Sequence, residues 1–310
     1  MELKKRPIII DCDTGTDDAI ALVALFGSEE VEIKGITSAS GNAMQKDTQR
    51  NNRNICALLG KDFPVVKGAS RSIYPRVFGY DETHGMTGMG DLVLPEAVDY
   101  PYADEMAPEF IKRIAEEENG ELELITVGPM TNIAIMLTMY PEVAEKIKHL
   151  WFMGGAVWGG NMNPVAEFNM WEDPIAATIV FNAGIPMTMI GLDVTEKAIM
   201  TKEDEVELRA YGTPAATLVA DLLDYMFRRN EKGGEDAMMH DSLAVAAAIF
   251  PECLEFTDYY VVMDWTGRYT AGHTHADIYR ESGKEPNMRC AMKVDVPAFR
   301  KWIVEKIKNA

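Results

Sequence analysis

Positive charge is scarce in this chain: 30 lysines and arginines stand against 49 aspartates and glutamates, a formal net charge of -19 over 310 residues. A nucleic-acid backbone and an anionic membrane surface are both held by basic patches, so neither is an expected partner. A neutral or cationic small molecule suits the balance better. Cysteine is equally sparse. Cys12, Cys56, Cys253 and Cys290 are scattered with no C-x-x-C spacing, which predicts free thiols in a reducing compartment and no thiolate zinc site. Long apolar runs are missing as well. Behind Lys4-Lys5-Arg6, the stretch Ile8-Ile9-Ile10 is cut short by Asp11, too soon for a signal peptide or a membrane span. A cytoplasmic location is therefore expected.

What is abundant is carboxylate, and it is concentrated. Asp11-Cys12-Asp13-Thr14-Gly15-Thr16-Asp17-Asp18 follows the apolar run and precedes a mostly apolar helical stretch from Ala19 to Phe26, which places four acids at a strand-to-helix turn. Open α/β sheets build their ligand sites at the C-terminal ends of strands. Four negative charges in so small a volume repel one another unless they are protonated, spread into solvent or bound to a hard divalent ion with oxygen ligands, for which calcium and magnesium are the natural candidates. Asp17 and Asp18 could simply complement a helix N-terminus. Asp11 and Asp13 have no such explanation.

Strand-like and helix-like segments alternate along the chain. Strands are predicted at Val31 to Thr37, Pro64 to Lys67, Leu122 to Val127, Leu150 to Met153 and Met187 to Leu192, with helices at Gln45 to Leu59, Met106 to Glu118, Thr131 to Met139 and after Asp173-Pro174. The second half is more helical, over Lys202 to Ala210, Pro214 to Arg229 and Asp241 to Ile249. It closes with strands at Tyr259 to Met263 and Met292 to Val296 and a helix from Pro297 to Lys308. A polar, glycine-rich stretch from Arg71 to Gly90 is a long loop of the kind that is usually either a functional lid or a poorly ordered segment. The fold class predicted is α/β: an open, mainly parallel Rossmann-like sheet with helices on both faces and an additional helical region in the C-terminal half, in a single domain over 1–310.

All parallel strands end along one rim. On this reading the rim carries Asp11 to Asp18, Ser38 to Asn42, Gly128 to Asn132, Gly154 to Asn169 and Asp193 to Thr195, with His240-Asp241 opposite. Singly, each has a plain structural reading: Asn42 a turn residue, the Thr131 hydroxyl a helix cap, Glu167-Phe168-Asn169 ordinary strand or loop alternation, His240-Asp241 a helix start.

Together, in order, these blocks resemble the calcium-dependent nucleoside hydrolases, which cleave the N-glycosidic bond of ribonucleosides. The likeness spans nearly the whole chain: Asp11-Cys12-Asp13 to Asp17-Asp18, Gly41-Asn42, Gly128-Pro129-Met130-Thr131-Asn132, Met153-Gly154-Gly155, Asn161, Pro164 to Asn169, Asp173-Pro174, Gly191 to Thr195 and His240-Asp241. Thr14 departs from it, standing where the family has proline, as does the filling Met170-Trp171-Glu172. The resemblance implies calcium held by Asp13, Asp18, the Thr131 carbonyl and Asp241. It implies a ribonucleoside bound by Asp17, Asn42, Asn161, Glu167 and Asn169, with Met153 and Phe168 lining the pocket, in a homodimer or homotetramer.

Cleavage at an anomeric carbon passes through an oxocarbenium-like state. Asp13 reads as the base that takes a proton from water, and His240 as the acid for the leaving base, with His84 in the loop as second candidate. Tyr225, Phe227, Arg228 and Arg229 could edge the base pocket, without separating purine from pyrimidine. A phosphatase of the haloacid dehalogenase type also places Asp-x-Asp after its first strand, but Gly15 stands where its threonine belongs. A non-catalytic nucleoside-binding protein would lack the base or the acid.

Overall fold

A computed structural model describes residues 4–75, 82–230 and 237–310. Phe78 and Tyr80 of the glycine-rich stretch and the Gly233-Gly234 turn lie outside them. In chain order, β1 (Arg6–Cys12), α1 (Thr16–Phe26), β2 (Val31–Ser38), α2 (Gln45–Leu58), β3 (Val65–Lys67), α3 (Ala107–Glu117), β4 (Leu122–Thr126), α4 (Thr131–Met139) and β5 (Ile147–Met153) build the first half. There follow α5 (Phe168–Glu172), α6 (Pro174–Phe181), β6 (Met187–Ile190), α7 (Leu192–Thr195), β7 (Ile199–Met200), α8 (Lys202–Tyr211), α9 (Pro214–Asn230), β8 (Ala237–Met238) and α10 (His240–Ile249). The chain ends with β9 (Leu254–Tyr259), β10 (Val261–Asp264), β11 (His273–Ala276), β12 (Met288–Val294) and α11 (Val296–Asn309).

Eight strands form one sheet in the order β3-β2-β1-β4-β5-β6-β12-β9. Every pairing is parallel except that of β12 with β9. The order runs outward in both directions from β1 and β4, so the chain reverses its winding between those two strands. That switch point opens a crevice at their C-terminal ends, where such sheets take ligands. Alternation along β1 shows why both faces need covering. Ile8, Ile10 and Cys12 pack into a core with α1, α9, α10 and α11, whereas Ile9 packs on the other face with α3, α4 and α6.

The predicted architecture is the observed one, and the differences are local. The segment expected as one strand from Tyr259 to Met263 divides at Tyr260: β9 closes the edge of the main sheet, and β10 pairs with β11 in a separate ribbon. The last strand is Met288–Val294, and Val296 already belongs to the helix, capped by the Asp295 carboxylate on the Ala298 amide. All four cysteines are free and buried. Among the described residues no helix is long and apolar enough to cross a membrane.

Candidate active site

Asp13 is the first residue past β1, where the backbone has left the sheet and its carboxylate enters the crevice, fully buried. Two glycines make room for it. A Cβ on Gly41 would lie 2.0 Å from Asp13 Oδ2, and one on Gly128 2.6 Å from Oδ1, so the loops after β2 and β4 close around the carboxylate only because both positions lack side chains. The Asn42 amide donates to Asp13 Oδ2 at 2.6 Å. At the start of α1, the Gly15 amide donates to Asp18 Oδ2 at 2.8 Å, and Asn42 Nδ2 donates to the same oxygen at 2.9 Å. Asn42 is thus a bridge between two acids, and it is not among the described residues with positive φ.

α10 brings Asp241 into this cluster from the far end of the chain. Ligand oxygens of Asp17, Asp18 and Asp241 lie within 4.8 Å of one another, and Asp18 also adjoins Asp13. Burial, reinforced by the Asp18 charge, pushes Asp13 well above the usual carboxylate range. Burial, reinforced by Asp17, raises Asp18 to about 6, and Asp241 is driven well up by burial and the charges of Asp17, Asp18 and Asp13. Asp13 Oδ1, Asp17 Oδ1 and Asp18 Oδ1 are buried with no hydrogen-bond donor among the described residues. Buried anionic oxygens are normally satisfied. The close-set oxygens of Asp17, Asp18 and Asp241, beside these unsatisfied atoms, form an acidic cluster that could hold a metal ion, a donor set of hard oxygens.

Asp11, the fourth acid of the sequence run, does not join. It lies one residue inside β1 on the face of Ile9, where Thr37 Oγ1, Asn132 Nδ2 and Thr126 Oγ1 donate to it; burial raises it to about 6. It ties β2, β4 and α4 together beneath the site. Thr131 also departs from expectation. Met130, not Thr131, occupies the cap of α4, and the Thr131 hydroxyl donates to Asp173 Oδ2 at 2.7 Å.

A cavity of about 310 Å³ opens over the cluster, lined by Asp17, Asn42, His84, Met153, Asn161, Glu167, Phe168, Asn169, His240 and Asp241. The residues that the resemblance assigns to the ribonucleoside, with His84 and His240, are therefore on its wall, whereas Asp13, Asp18, Thr131, Tyr225, Phe227 and Arg228 are not among the lining residues. Glu167 is more than loop alternation: it caps α5, accepting from the Asn169 and Gly155 amides at 2.9 Å and from Met170 at 3.2 Å, and burial lifts it to about 7. Asn169 Nδ2 donates to the carbonyls of Val127 and Met153, which fixes α5 to the ends of β4 and β5. His240 opens α10 with Nδ1 at 2.8 Å from Thr195 Oγ1, and burial lowers its pKa below the ordinary histidine value. The Thr16 amide points at His84 Nδ1 at 3.2 Å, which makes Nδ1 the acceptor and leaves the ring proton on Nε2.

The family model for inosine-uridine preferring nucleoside hydrolase matches residues 8–301. The chain belongs to that family. The pyrimidine-specific ribonucleoside hydrolase RihA of Escherichia coli O1:K1 / APEC is 38% identical over 306 residues, 97% of this chain and 98% of that protein. RihA of Salmonella schwarzengrund is 39% identical over the same length. Among solved structures, the purine-preferring ribonucleoside hydrolase from Gardnerella vaginalis superposes with a TM-score of 0.92 at 34% identity, covering 98% of each chain. An inosine-guanosine nucleoside hydrolase does so at 0.86 and 26%, covering 97% of this chain and 98% of its own. A nucleoside hydrolase is an enzyme of the N-glycosidic bond, as the sequence led one to expect. In this nucleoside hydrolase the wall also includes Thr83, Val127, Met162, Met226, Arg229 and Met238, which sequence reasoning missed except for Arg229. Of the other aromatic and basic candidates on α9, Phe227 is buried in the core, and Arg228 pairs with Asp91 and Asp224 at the surface. Met226 and Arg229 share the i, i+3 spacing of one helix face. That spacing was the available signal.

Proposed function

We propose that the chain hydrolyses ribonucleosides to ribose and free base with Asp13 as the base, and that its divalent ion is calcium. The observation that carries this is the buried cluster of Asp17, Asp18 and Asp241, whose ligand oxygens lie within 4.8 Å of one another, with Asp17 and Asp241 on the wall of a cavity sized for a small molecule. Asp13, Asp18, Asp241 and the Thr131 carbonyl are the ligands we assign, a hard-oxygen set suited to calcium. When bound, the ion supplies Lewis acidity, making nearby water more acidic and hydroxyl oxygens easier to hold. Asp17, Asn42, Asn161, Glu167 and Asn169 orient the ribose, Met153 and Phe168 exclude water, and the surrounding negative charge favours the positive charge that grows on the sugar. Asp13 takes the proton of the attacking water; His240 gives one to the departing base. Release of reducing sugar from uridine or inosine by the purified protein tests the reaction directly, because a phosphatase or a nucleoside-binding protein releases none.

Removing the ion exposes the repulsion. A carboxyl whose pKa is higher folded than unfolded, as in Asp18 at about 6 against 3.8, contributes full stability below pH 4 and loses it as pH rises through 6. The metal-free protein should therefore melt lower at pH 7.5 than at pH 5. Loading calcium should restore about 5 °C at pH 7.5 and much less at pH 5. A calcium effect that is absent, or equal at both pH values, overturns the assignment; so does zinc as the metal found in the native protein.

His240→Ala should lower kcat/KM for uridine by about 10²-fold while leaving nitrophenyl riboside, whose leaving group needs no proton, close to wild type. Equal losses on both would end the acid role and turn attention to His84.

A further inference from the structure

The cavity wall built by α9 carries a positive charge. Arg229 lines the cavity beside Thr83, His84, Met226, Met238 and His240, and among the described lining residues it is the only lysine or arginine. Its Nη1 donates to the Thr83 carbonyl, which ties the guanidinium to the short turn Glu82–His84. The charged residues otherwise fixed in that wall, Asp17, Glu167 and Asp241, are acids. One permanent cation therefore faces a pocket of carboxylates.

Acids alone serve only half of the reaction. As the C1′–N bond breaks, its electron pair goes to the base, which is negative until a proton arrives, while the sugar becomes positive. Carboxylates stabilise the sugar and repel the departing anion. A guanidinium does the reverse: it keeps its proton at any working pH and offers planar N–H donors to oxygen or nitrogen acceptors. Beside the glycosidic nitrogen a nucleobase presents one acceptor in the same place, O2 in a pyrimidine and N3 in a purine, and the anion's charge spreads onto it.

Resting on the nucleoside-cleaving reading above, we propose that Arg229 is the leaving-group residue, its guanidinium hydrogen-bonding the departing base at the acceptor next to the glycosidic nitrogen. The balance is simple. Water oxygen forms the new bond to C1′, its proton passes to Asp13, the C1′–N pair stays with the base, and the base then takes a proton from His240. Arg229 lends charge and gives up nothing. Preference follows for bases that are stable as anions, so uridine should outrank cytidine.

The test compares uridine, 5-fluorouridine and nitrophenyl riboside, whose leaving groups are progressively stronger acids, in wild type, Arg229→Gln and Arg229→Lys. The Gln variant should lose about 10²-fold in kcat/KM on uridine, distinctly less on 5-fluorouridine and under about threefold on nitrophenyl riboside, the size of loss seen when one charge-stabilising donor is removed. The Lys variant, which keeps the charge without the fork, should fall between and show the same grading. Losses equal across the three substrates would reduce Arg229 to a strap on Thr83 and overturn the proposal, as would an unimpaired Gln variant. Should that variant misfold, the grading in the Lys variant decides in the same way. A wild-type protein inert on all three would overturn the nucleoside reading itself, and this inference with it.

Discussion

Asp13→Asn is expected to abolish turnover, by about 10³-fold or more in kcat, while the protein remains folded. The size follows from two proposed roles on one side chain, proton acceptor and metal ligand. The intact fold follows from the packing: asparagine has the same shape, so it fits the space left by Gly41 and Gly128, and its amide oxygen can still accept from the Asn42 amide. Replacing the charge also relieves repulsion with Asp18, whose proximity helps to push Asp13 up. Steady-state kinetics, a melting curve and metal analysis on the same preparation check it. Retention of more than a few per cent of wild-type turnover with metal bound would falsify the base assignment.

Uridine should exceed 2′-deoxyuridine in kcat/KM by at least about 10², with about 10⁴ typical of a site built to hydrogen-bond the missing hydroxyl. Asp17 and Asn169 are nearly fully buried on the cavity wall, and Asp17 Oδ1 has no donor among the described residues. A ribose hydroxyl brings the donor that such an oxygen lacks. The deoxy sugar leaves it unpaired and buried, and the penalty falls on the transition state as well as on binding. The same comparison with inosine and 2′-deoxyinosine separates a sugar effect from a base effect. Comparable values in either series would sink the ribose clamp even if the protein cleaves nucleosides.

Much of this site was legible because it lies where local rules are strongest. Apolar strands followed by helices imply a parallel sheet, a parallel sheet implies one rim, and the polar residues just past each strand must then be neighbours. Asp13, Asn42 and Thr131 follow from that, whereas Asn169 and Asp241 sit on α5 and α10, and only the order of the blocks along the chain and its likeness to the family pointed to them. The misplaced residues mark the limits of the same rules. Asp11 and Asp13 are two positions apart in the chain, yet strand geometry holds Asp11 on the Ile9 face, against Thr37 and Asn132, while Asp13 is already outside the sheet. Periodicity identified α9 but not its rotation about its axis, so Phe227 and Arg228 were as good as Met226 and Arg229 until α9 was packed against the sheet.

By itself, then, the sequence determined the layered α/β architecture, the carboxylate-rich rim and the family, because each depends on patterns within about twenty neighbouring residues or on their order along the chain. Which acids share a cluster, which face of α9 meets the substrate and what Thr131 bonds to were decided only by the tertiary structure. Asp18 and Asp241 adjoin because the sheet reverses its winding between β1 and β4 and α10 packs against α1 across that switch. Contacts between segments so far apart are fixed by the closure of the whole core, and no local periodicity encodes them.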